Sequence, residues 1–327
     1  MSVSRLTLAV QEHGLELPDE GRFAVFAPRI GYDLSALPKD RCDVVQPLFP
    51  DHTAFARSGF KCVVEEEGDY SAAIVCLPRA KAQARDLIAR AVACADLVIV
   101  DGQKTEGAES LIKDCRKKAD LSGTVSKAHG KLFWFRGGDF ADWQAPDVTK
   151  IEDGLVTRAG VFSADGIDPA SRALVNALPE NLGRNVSDLG AGWGYLSVDI
   201  LKRPTVETLY LIEADHTALD CAKQNVTDER ARFFWADVTT WEPRARMDTV
   251  VMNPPFHTGR TADPSLGAAF ITAASRMLAP TGQLWMVANR HLPYETTLSA
   301  QFAKVEEVAG DNRFKILHAT RPARARR

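Results

Sequence analysis

Cysteines are few and scattered in this sequence of 327 residues, and long apolar runs are missing. The six cysteines form no C-x-x-C pair and have no histidines at zinc-ligand spacing, which argues against a zinc ribbon or a dithiol redox centre. No apolar run reaches the roughly 18 residues that a membrane span needs, and the N-terminus lacks the apolar core of a secretory signal. We therefore expect a cytoplasmic protein with reduced thiols, no membrane span and no metal site.

The chain also lacks a large excess of charge of either sign. Its net charge is −3, which excludes a protein that coats nucleic acid with its whole surface. The positive charges are nevertheless clustered, because residues 113–136 contain seven Lys or Arg against two Asp, and residues 311–327 contain six against one. Such clusters predict a face that contacts RNA, although solvated helix faces and a frayed tail would have the same composition.

A weak internal repeat runs through the sequence. The segment FPDHTAF at 49–55 resembles EADHTAL at 213–219, and AIVCLP at 73–78 resembles VVMNPP at 250–255. These and further weak matches keep the same order along the chain, with offsets that drift from 162 to 187 residues. Collinear matches of this kind indicate two copies of one structural unit.

Short apolar strands alternate with amphipathic helical stretches in both copies, which predicts an α/β fold with mostly parallel sheets. We therefore expect two tandem Rossmann-like domains that arose by duplication, the N-terminal one degenerate. The predicted boundaries are a first domain at 1–140, a linker at 141–153 and a second domain at 154–327, because the stretch 137–153 is rich in Gly, Asp and Pro.

Three acidic residues follow three successive predicted strands of the second copy. Asp188 precedes a Gly-x-Gly-x-Gly turn that begins with Gly190 and Gly192, and the next two strands lead to Glu213 and Asp237. Open α/β sheets bind ligands in the crevice at the carboxyl ends of their strands. An acid there suits a ligand ammonium, a second can accept ribose hydroxyls, and a third can hold an adenine amine. The pattern predicts a site for S-adenosylmethionine.

The fourth predicted strand of this copy ends in Asn253-Pro254-Pro255-Phe256, the most specific motif in the chain. Two prolines stiffen the backbone and remove two donors, which leaves carbonyl groups for a ligand. The Asn253 amide oxygen and the Pro254 carbonyl can accept both hydrogens of an exocyclic base amine. Phe256 can stack on the base. Catalysis of this kind depends on positioning and fixed dipoles, without a strong general base.

These motifs resemble those of class I S-adenosylmethionine-dependent methyltransferases that act on a planar nitrogen. The tandem copies, the segment GVFSADGIDPAS at 160–171, NPPFH and NRFKILHATR at 312–321 resemble a narrower family, the bacterial guanine-N2 methyltransferases of small-subunit ribosomal RNA and their large-subunit relatives. The resemblance implies ribosomal RNA or a ribosomal subunit as partner. It also extends the expected cofactor set to Ala191, Val238 and Phe162. Ala191 stands where the family usually has Cys, and Trp193 is a second departure from the family pattern.

The first copy has lost the chemistry of the second. The internal alignment places Phe26 opposite Asp188, and it replaces the acid of the second strand and the asparagine of the fourth with Phe49 and Cys76. None of the three can replace the group that it stands for. We expect this copy to serve as a scaffold and RNA platform.

Two other functions remain open at this point. An Asn-Pro-Pro-aromatic motif also serves methylation of adenine N6 in nucleic acid and of glutamine in protein. A non-catalytic RNA-binding assembly factor on an old methyltransferase fold is a further alternative. The retention of Asn253 argues against the last, since a pure binder has no use for that amide.

Overall fold

The computed structural model describes residues 3–255 and 264–323 of the chain. The chain divides into two compact units, Met1–Asp147 and Val148–Arg327, and the division falls inside the predicted linker.

The first unit consists of a seven-stranded sheet with helices packed on both faces. Its helices are α1 (Arg5–Glu12), α2 (Phe49–Arg57), α3 (Lys81–Cys94) and α4 (Ala108–Cys115). Its strands are β1 (Phe23–Phe26), β2 (Cys42–Val45), β3 (Lys61–Val63), β4 (Tyr70–Cys76), β5 (Ala95–Gln103), β6 (Leu121–Lys127) and β7 (Gly130–Arg136).

The central strands of this sheet are apolar on both faces because helices cover both. Ala24 and Phe26 of β1 pack in the core under α3 and α4, while Phe23 and Val25 pack in the core under α1 and α2. A parallel sheet that is buried on both sides gives continuous apolar runs of this kind.

The second unit begins with a two-stranded ribbon and continues into another seven-stranded sheet. The ribbon and sheet strands are β8 (Thr149–Lys150), β9 (Val156–Thr157), β10 (Asn185–Leu189), β11 (Thr208–Glu213), β12 (Ala231–Trp235), β13 (Met247–Met252), β14 (Leu278–Asn289), β15 (Phe302–Gly310) and β16 (Phe314–Pro322). The helices are α5 (Pro169–Ala177), α6 (Tyr195–Ile200), α7 (His216–Asn225), α8 (Pro264–Met277) and α9 (Tyr294–Gln301).

Helix α5 begins where its sequence dictates. Asp168 is the N-cap, its carboxylate accepts a hydrogen bond from the backbone N–H of Ser171 at 2.8 Å, and Pro169 occupies the first helical position. Asp at the N-cap and Pro directly after it are the preferred residues at a helix start. The cap fixes where α5 starts beside the sheet, on the same face as α6 and α7.

The two sheets have the same strand order, which confirms the prediction of tandem Rossmann-like domains. The order is β3-β2-β1-β4-β5-β7-β6 in the first and β12-β11-β10-β13-β14-β16-β15 in the second. In both sheets the five strands from one edge are parallel, and the next strand, β7 or β16, is antiparallel. The carboxyl ends of the parallel strands therefore meet at one edge of each sheet.

The strand registers correct the internal alignment of the two copies. Ala27 N donates to Val45 O at 2.9 Å, just as Gly190 N donates to Ile212 O at 2.8 Å, so Val45 corresponds to Ile212. It follows that Gln46, and not Phe49, is the counterpart of Glu213.

The alignment of the first strand is also wrong, by one position. Phe26 pairs with Val75 of β4, and Leu189 pairs with Met252 of β13. Val25 rather than Phe26 is therefore the counterpart of Asp188.

The alignment of Cys76 with Asn253 agrees with the registers. The alignment of the second strand failed because the similar helix sequences do not start alike. Asp215 is the N-cap of α7, whereas Asp51 lies three positions after the α2 N-cap, Leu48.

Within residues 3–255 and 264–323, no helix is both long and apolar enough to cross a bilayer. The six cysteines are all free, and most are buried. The same ranges contain no group of His, Cys, Asp or Glu side chains that could hold a metal ion.

Candidate active site

The glycine turn between β10 and α6 forms one wall of the candidate site. Gly192 has a φ of +55° and a Cβ built there would face open space, so the turn presents bare backbone to a ligand. Gly194 has a φ of +91° and packs so closely that a Cβ would lie 2.9 Å from Val226 Cγ2. One glycine leaves room above the turn, and the other lets α7 approach beneath it.

Asp188 lies beneath this turn and is fully buried. Ser197 Oγ donates to its Oδ2 at 2.7 Å, while Oδ1 has no hydrogen-bond partner among the described residues. Burial raises the pKa of Asp188 to about 7, and the nearby charge of Glu213 adds to the rise. The buried carboxylate can affect a ligand ammonium only through the turn above it, because its side chain does not reach the cavities described below.

Glu213 stands at the end of β11 and holds the glycine turn. Its Oε2 accepts from the Gly192 N–H at 2.7 Å, and its Oε1 accepts from the Asp215 N–H at 2.8 Å. Desolvation raises the pKa of Glu213 to about 7 although both hydrogen bonds oppose the shift. The carboxylate therefore couples the turn to the strand end where the sequence predicts the binding of ribose hydroxyls.

The third predicted acid follows β12. Asp237 Oδ1 accepts from the backbone N–H and the hydroxyl of Thr239, at 2.8 and 2.7 Å, and this Asx turn fixes the loop. Val238 is buried in the core of the second sheet, so any contact of Val238 with a ligand would come from its backbone.

The segment before α5 lies over the glycine turn. Trp193 is buried, lines the cavity beside the turn, and donates from Nε1 to Phe162 O at 3.0 Å. Phe162 is 58% exposed as a residue and lines the larger cavity instead of packing in the core. Trp193 thus anchors a backbone segment that leaves an aromatic ring available to a ligand.

Asn253, at the end of β13, belongs to a network that crosses to α5. Its Nδ2 donates to Asp168 Oδ2 at 2.9 Å and to Ser171 Oγ at 2.8 Å. Both amide hydrogens are therefore used on one side, and the amide oxygen is directed away from α5. Pro254 is buried and Pro255 is exposed, while Phe256 lies outside the described residues.

Two cavities meet at Asn253. The smaller, of about 40 Å³, is lined by the glycine turn with Gly190, Ala191, Gly192, Trp193, Tyr195 and the Phe162–Ser163 segment. The larger, of about 220 Å³, extends from Pro254 past Asn289 and Tyr294 to Phe314. Phe162, Asp168 and Asn253 line both cavities. The amide thus stands between a backbone-lined pocket and a pocket with aromatic walls.

Sequence reasoning missed three residues of this arrangement. Asp168 and Ser171 form a helix-start pattern, and that pattern predicts a cap but no contact with a residue 85 positions away. Trp193 stands out in the sequence only as a departure from the family pattern, and its bond to Phe162 O has no sequence signal.

The comparison with protein families identifies one match. A model of the methyltransferase small domain matches residues 152–318, a range that spans both cavities and the strand ends.

Curated relatives are ribosomal RNA methyltransferases. Ribosomal RNA small subunit methyltransferase C of Hahella chejuensis is 30% identical over 248 residues, which cover 72% of this chain and 72% of the relative. The protein of the same name from Shewanella sp. (strain MR-4) is 27% identical, over 88% of this chain and 92% of the relative. Ribosomal RNA large subunit methyltransferase G of Streptomyces avermitilis is 34% identical over 51% of this chain and 45% of the relative.

A solved structure matches most of the chain. It is a T. thermophilus 16S rRNA N2 methyltransferase, determined in complex with AdoMet and guanosine, with a TM-score of 0.78 over 94% of this chain and 90% of that chain. The identity is 24%, so this likeness supports the two-unit fold.

Proposed function

The chain belongs to the methyltransferase small domain family, and we propose that it transfers a methyl group from S-adenosylmethionine to the exocyclic N2 amine of a guanine in ribosomal RNA. Relatives that cover most of the chain are named for methylation of small-subunit RNA, which favours that subunit over the large one.

The observation on which the proposal depends is the position of Asn253 between the two cavities. A methyl donor and an amine must meet at one point, and Asn253 is a residue of both pocket walls. Its amide nitrogen is engaged by Asp168 and Ser171, so its oxygen is the group that can accept from an amine.

The chain acts on the amine by positioning it. The lone pair of an exocyclic base amine is delocalised into the ring, so the amine is a weak nucleophile until its hydrogens are held on one side. The Asn253 oxygen and the Pro254 carbonyl can accept those hydrogens and direct the lone pair toward the smaller cavity. The larger cavity, with Pro254 and Phe314 in its wall, can receive the planar base once it has left its stack.

S-Adenosylmethionine would supply the methyl group from a sulfonium that leaves as a neutral thioether, and the methylated amine would release one proton to solvent. We propose that Gly190, Ala191 and Gly192 lie against its methionine end, while Glu213 and Asp237 accept from its ribose and adenine. The fit is supported by the open space above Gly192 and by Glu213, whose Oε2 accepts from the Gly192 N–H at 2.7 Å at the end of β11.

We propose that the first unit helps to hold the RNA. Lys113, Arg116 and Lys117 are exposed close together near the end of α4, and Lys117 has only a long ion pair, 3.6 Å from Asp114. Lys118 instead contacts Asp142 and the rings of Phe140 and Trp143, so its charge has a structural use.

The decisive test is to identify the methylated product. The protein is incubated with isotope-labelled S-adenosylmethionine and, in parallel, with unmethylated small subunits, large subunits and naked rRNA. Label in N2-methylguanosine supports the proposal, and the most active substrate identifies the subunit. Label in N6-methyladenosine or in protein would favour the alternative acceptors. RNA binding without any label transfer would favour an assembly factor.

A further inference from the structure

Asp168 and the candidate catalytic Asn253 are 85 residues apart in the sequence, yet their side chains are hydrogen-bonded. One oxygen of its carboxylate, Oδ2, accepts from three donors, namely Ser171 N at 2.8 Å, Ser171 Oγ at 3.0 Å and Asn253 Nδ2 at 2.9 Å. Asp168 also lines both cavities. Asp168 therefore caps α5 and accepts a hydrogen bond from the Asn253 amide at the same time.

An asparagine amide can present either its oxygen or its NH₂ group to a substrate, and the two orientations differ by a rotation that leaves the side-chain shape almost unchanged. A carboxylate can only accept, so it bonds the NH₂ end and rejects the oxygen end. We propose that Asp168 is a positioning residue that fixes the Asn253 amide with its oxygen toward the substrate amine. This inference rests on the proposed function of Asn253 as the acceptor for that amine.

Ser171 accepts the second hydrogen of the Asn253 NH₂ group and so favours the same orientation of the amide. Its hydroxyl donates to Asp168 Oδ2 and therefore has its lone pairs available for the Asn253 NH₂ group. Both hydrogens of Asn253 Nδ2 are thus fixed by one turn of α5, which is in turn fixed by its own N-cap. The start of α5 controls the orientation of a group at the end of β13.

Replacing Asp168 with Ser separates the two roles of the carboxylate. Ser is as good an N-cap as Asp, so its hydroxyl can keep the bond to Ser171 N. A hydroxyl both donates and accepts, so it no longer rejects the oxygen end of the Asn253 amide. We expect kcat to fall about 100-fold, the range for a misplaced or missing catalytic dipole, while the thermal midpoint and the S-adenosylmethionine Kd stay near the parental values.

A reciprocal exchange tests the orientation directly. Asn253→Asp alone places two carboxylates 2.9 Å apart and should be inactive, because one of them must take up a proton or turn away. The double variant Asp168→Asn, Asn253→Asp restores a donor facing an acceptor, gives up the bond to Ser171 N, and leaves the second carboxylate oxygen at position 253 for the amine. We expect it to recover at least tenfold in kcat over Asn253→Asp, with a lower thermal midpoint. If position 168 were only a structural cap, losing the cap bond would not restore activity to Asn253→Asp.

A second measurement does not depend on activity. In protein labelled with ¹⁵N at asparagine, the Asn253 side-chain NH₂ signal, identified by its loss in Asn253→Asp, should lie downfield and exchange slowly in the parent. It should lose both properties in Asp168→Ala, and Ser171→Ala should affect one of its two protons. Ser4→Ala removes the N-cap of α1 in the first unit and serves as a capping control without an effect on this signal.

The possible results separate the two hypotheses. If the parent methylates no guanine, the proposed function fails, and the NMR signals still decide whether Asp168 fixes the amide. The inference is overturned if Asp168→Ser keeps parental kcat, if the double variant is no more active than Asn253→Asp, or if the Asn253 signal is the same with and without the Asp168 carboxylate.

Discussion

The two units share one strand order but differ in the side chains and cavities at the carboxyl edge of the sheet. In the second unit that edge contains Asn253 and two cavities. In the first unit, Cys76 occupies the same position and is buried. Asp101 lies beside it on β5, and its carboxylate accepts from Arg5 Nε at 2.6 Å and from the Tyr32 hydroxyl at 2.8 Å.

The first unit closes its crevice with its own side chains. Arg5 comes from α1, Tyr32 comes from the loop after β1, and burial beside Asp101 and Cys76 raises the pKa of Tyr32 well above its usual value. Gln46, which follows β2, donates from Nε2 to Pro28 O in the loop after β1 at 2.7 Å. An open α/β sheet has a ligand crevice by default. In the first unit the absence of an amide at this position is thus accompanied by polar contacts across the carboxyl edge of the sheet.

The largest expected difference between the units is in the rate of methyl transfer. Asn253→Ala should lower kcat about 1000-fold, because the acceptor for the amine is removed, while the S-adenosylmethionine Kd changes less than about threefold. Cys76→Ala, at the matching position of the first sheet, should leave kcat unchanged. Single-turnover methylation and calorimetry measure the two quantities. Equal losses in both variants would mean that the crevices are not chemically distinct.

The second difference concerns stability. Asp101→Ala leaves the buried Arg5 guanidinium and Tyr32 hydroxyl without their shared acceptor, and it should lower the free energy of unfolding of the first unit by about 3 kcal/mol. Arg136→Gln, which breaks an exposed pair with Asp96, is the control and should cost less than about 0.5 kcal/mol. Hydrogen exchange resolved by segment reports each unit separately. Loss of protection in the second unit instead would contradict the assignment.

A third difference is the pH response, because Asp188 and Glu213 titrate where Val25 and Gln46 cannot. The folded pKa of Asp188, about 7, lies above its unfolded value, so the folded state binds more protons between about pH 4 and 7. Stability of the ligand-free protein should therefore fall as the pH rises, by about 2 kcal/mol between pH 5.5 and 7.5 for this group.

Asp188→Asn should remove about half of the slope measured for the whole protein, because Glu213, whose folded pKa is also about 7, contributes a similar amount. Cofactor affinity should move the other way and strengthen as pH rises through 7, since the ionised carboxylates suit the ligand. Thermal melts and titration calorimetry at several pH values test both signs. A slope that is the same in parent and Asp188→Asn would show that the buried carboxylate does not control it.

The fold could be predicted from the sequence because buried parallel strands give runs of apolar residues, and these runs occur in both copies of the repeat. Three of the predicted site positions, Glu213, Asp237 and Asn253, follow strand ends, which the same pattern locates. The contact of Asp168 with Asn253 and that of Arg5 with Asp101 span 85 and 96 residues and have no local signal. The strand register of the first copy could not be predicted from the sequence either, because α2 and α7 have similar sequences but begin at different cap residues.

The smallest expected effect concerns which unit holds RNA phosphates. Lys113, Arg116 and Lys117 are exposed on the first unit, where Lys117 lies 3.6 Å from Asp114. Arg136 is also exposed and is paired with Asp96 at 2.8 Å. The triple change of the three exposed residues to Gln should weaken RNA binding several-fold and make the dependence of log Kd on log salt shallower by about 2, since each lost phosphate contact removes about 0.7 to 0.9.

The second unit offers a matched comparison. Arg244, Arg246 and Arg276 are exposed around a surface cavity of about 690 Å³, so their triple change to Gln removes the same charge from the unit with the candidate site. If the first unit is the RNA platform, this second variant should keep the parental salt slope, as should Arg136→Gln. Binding measured by fluorescence anisotropy between about 50 and 200 mM salt separates the cases. A slope that falls only in the Arg244, Arg246, Arg276 variant would assign the RNA contacts to the second unit and leave the first as a scaffold alone. The slope decides this because it reports the number of phosphate contacts, whereas the affinity at one salt concentration does not.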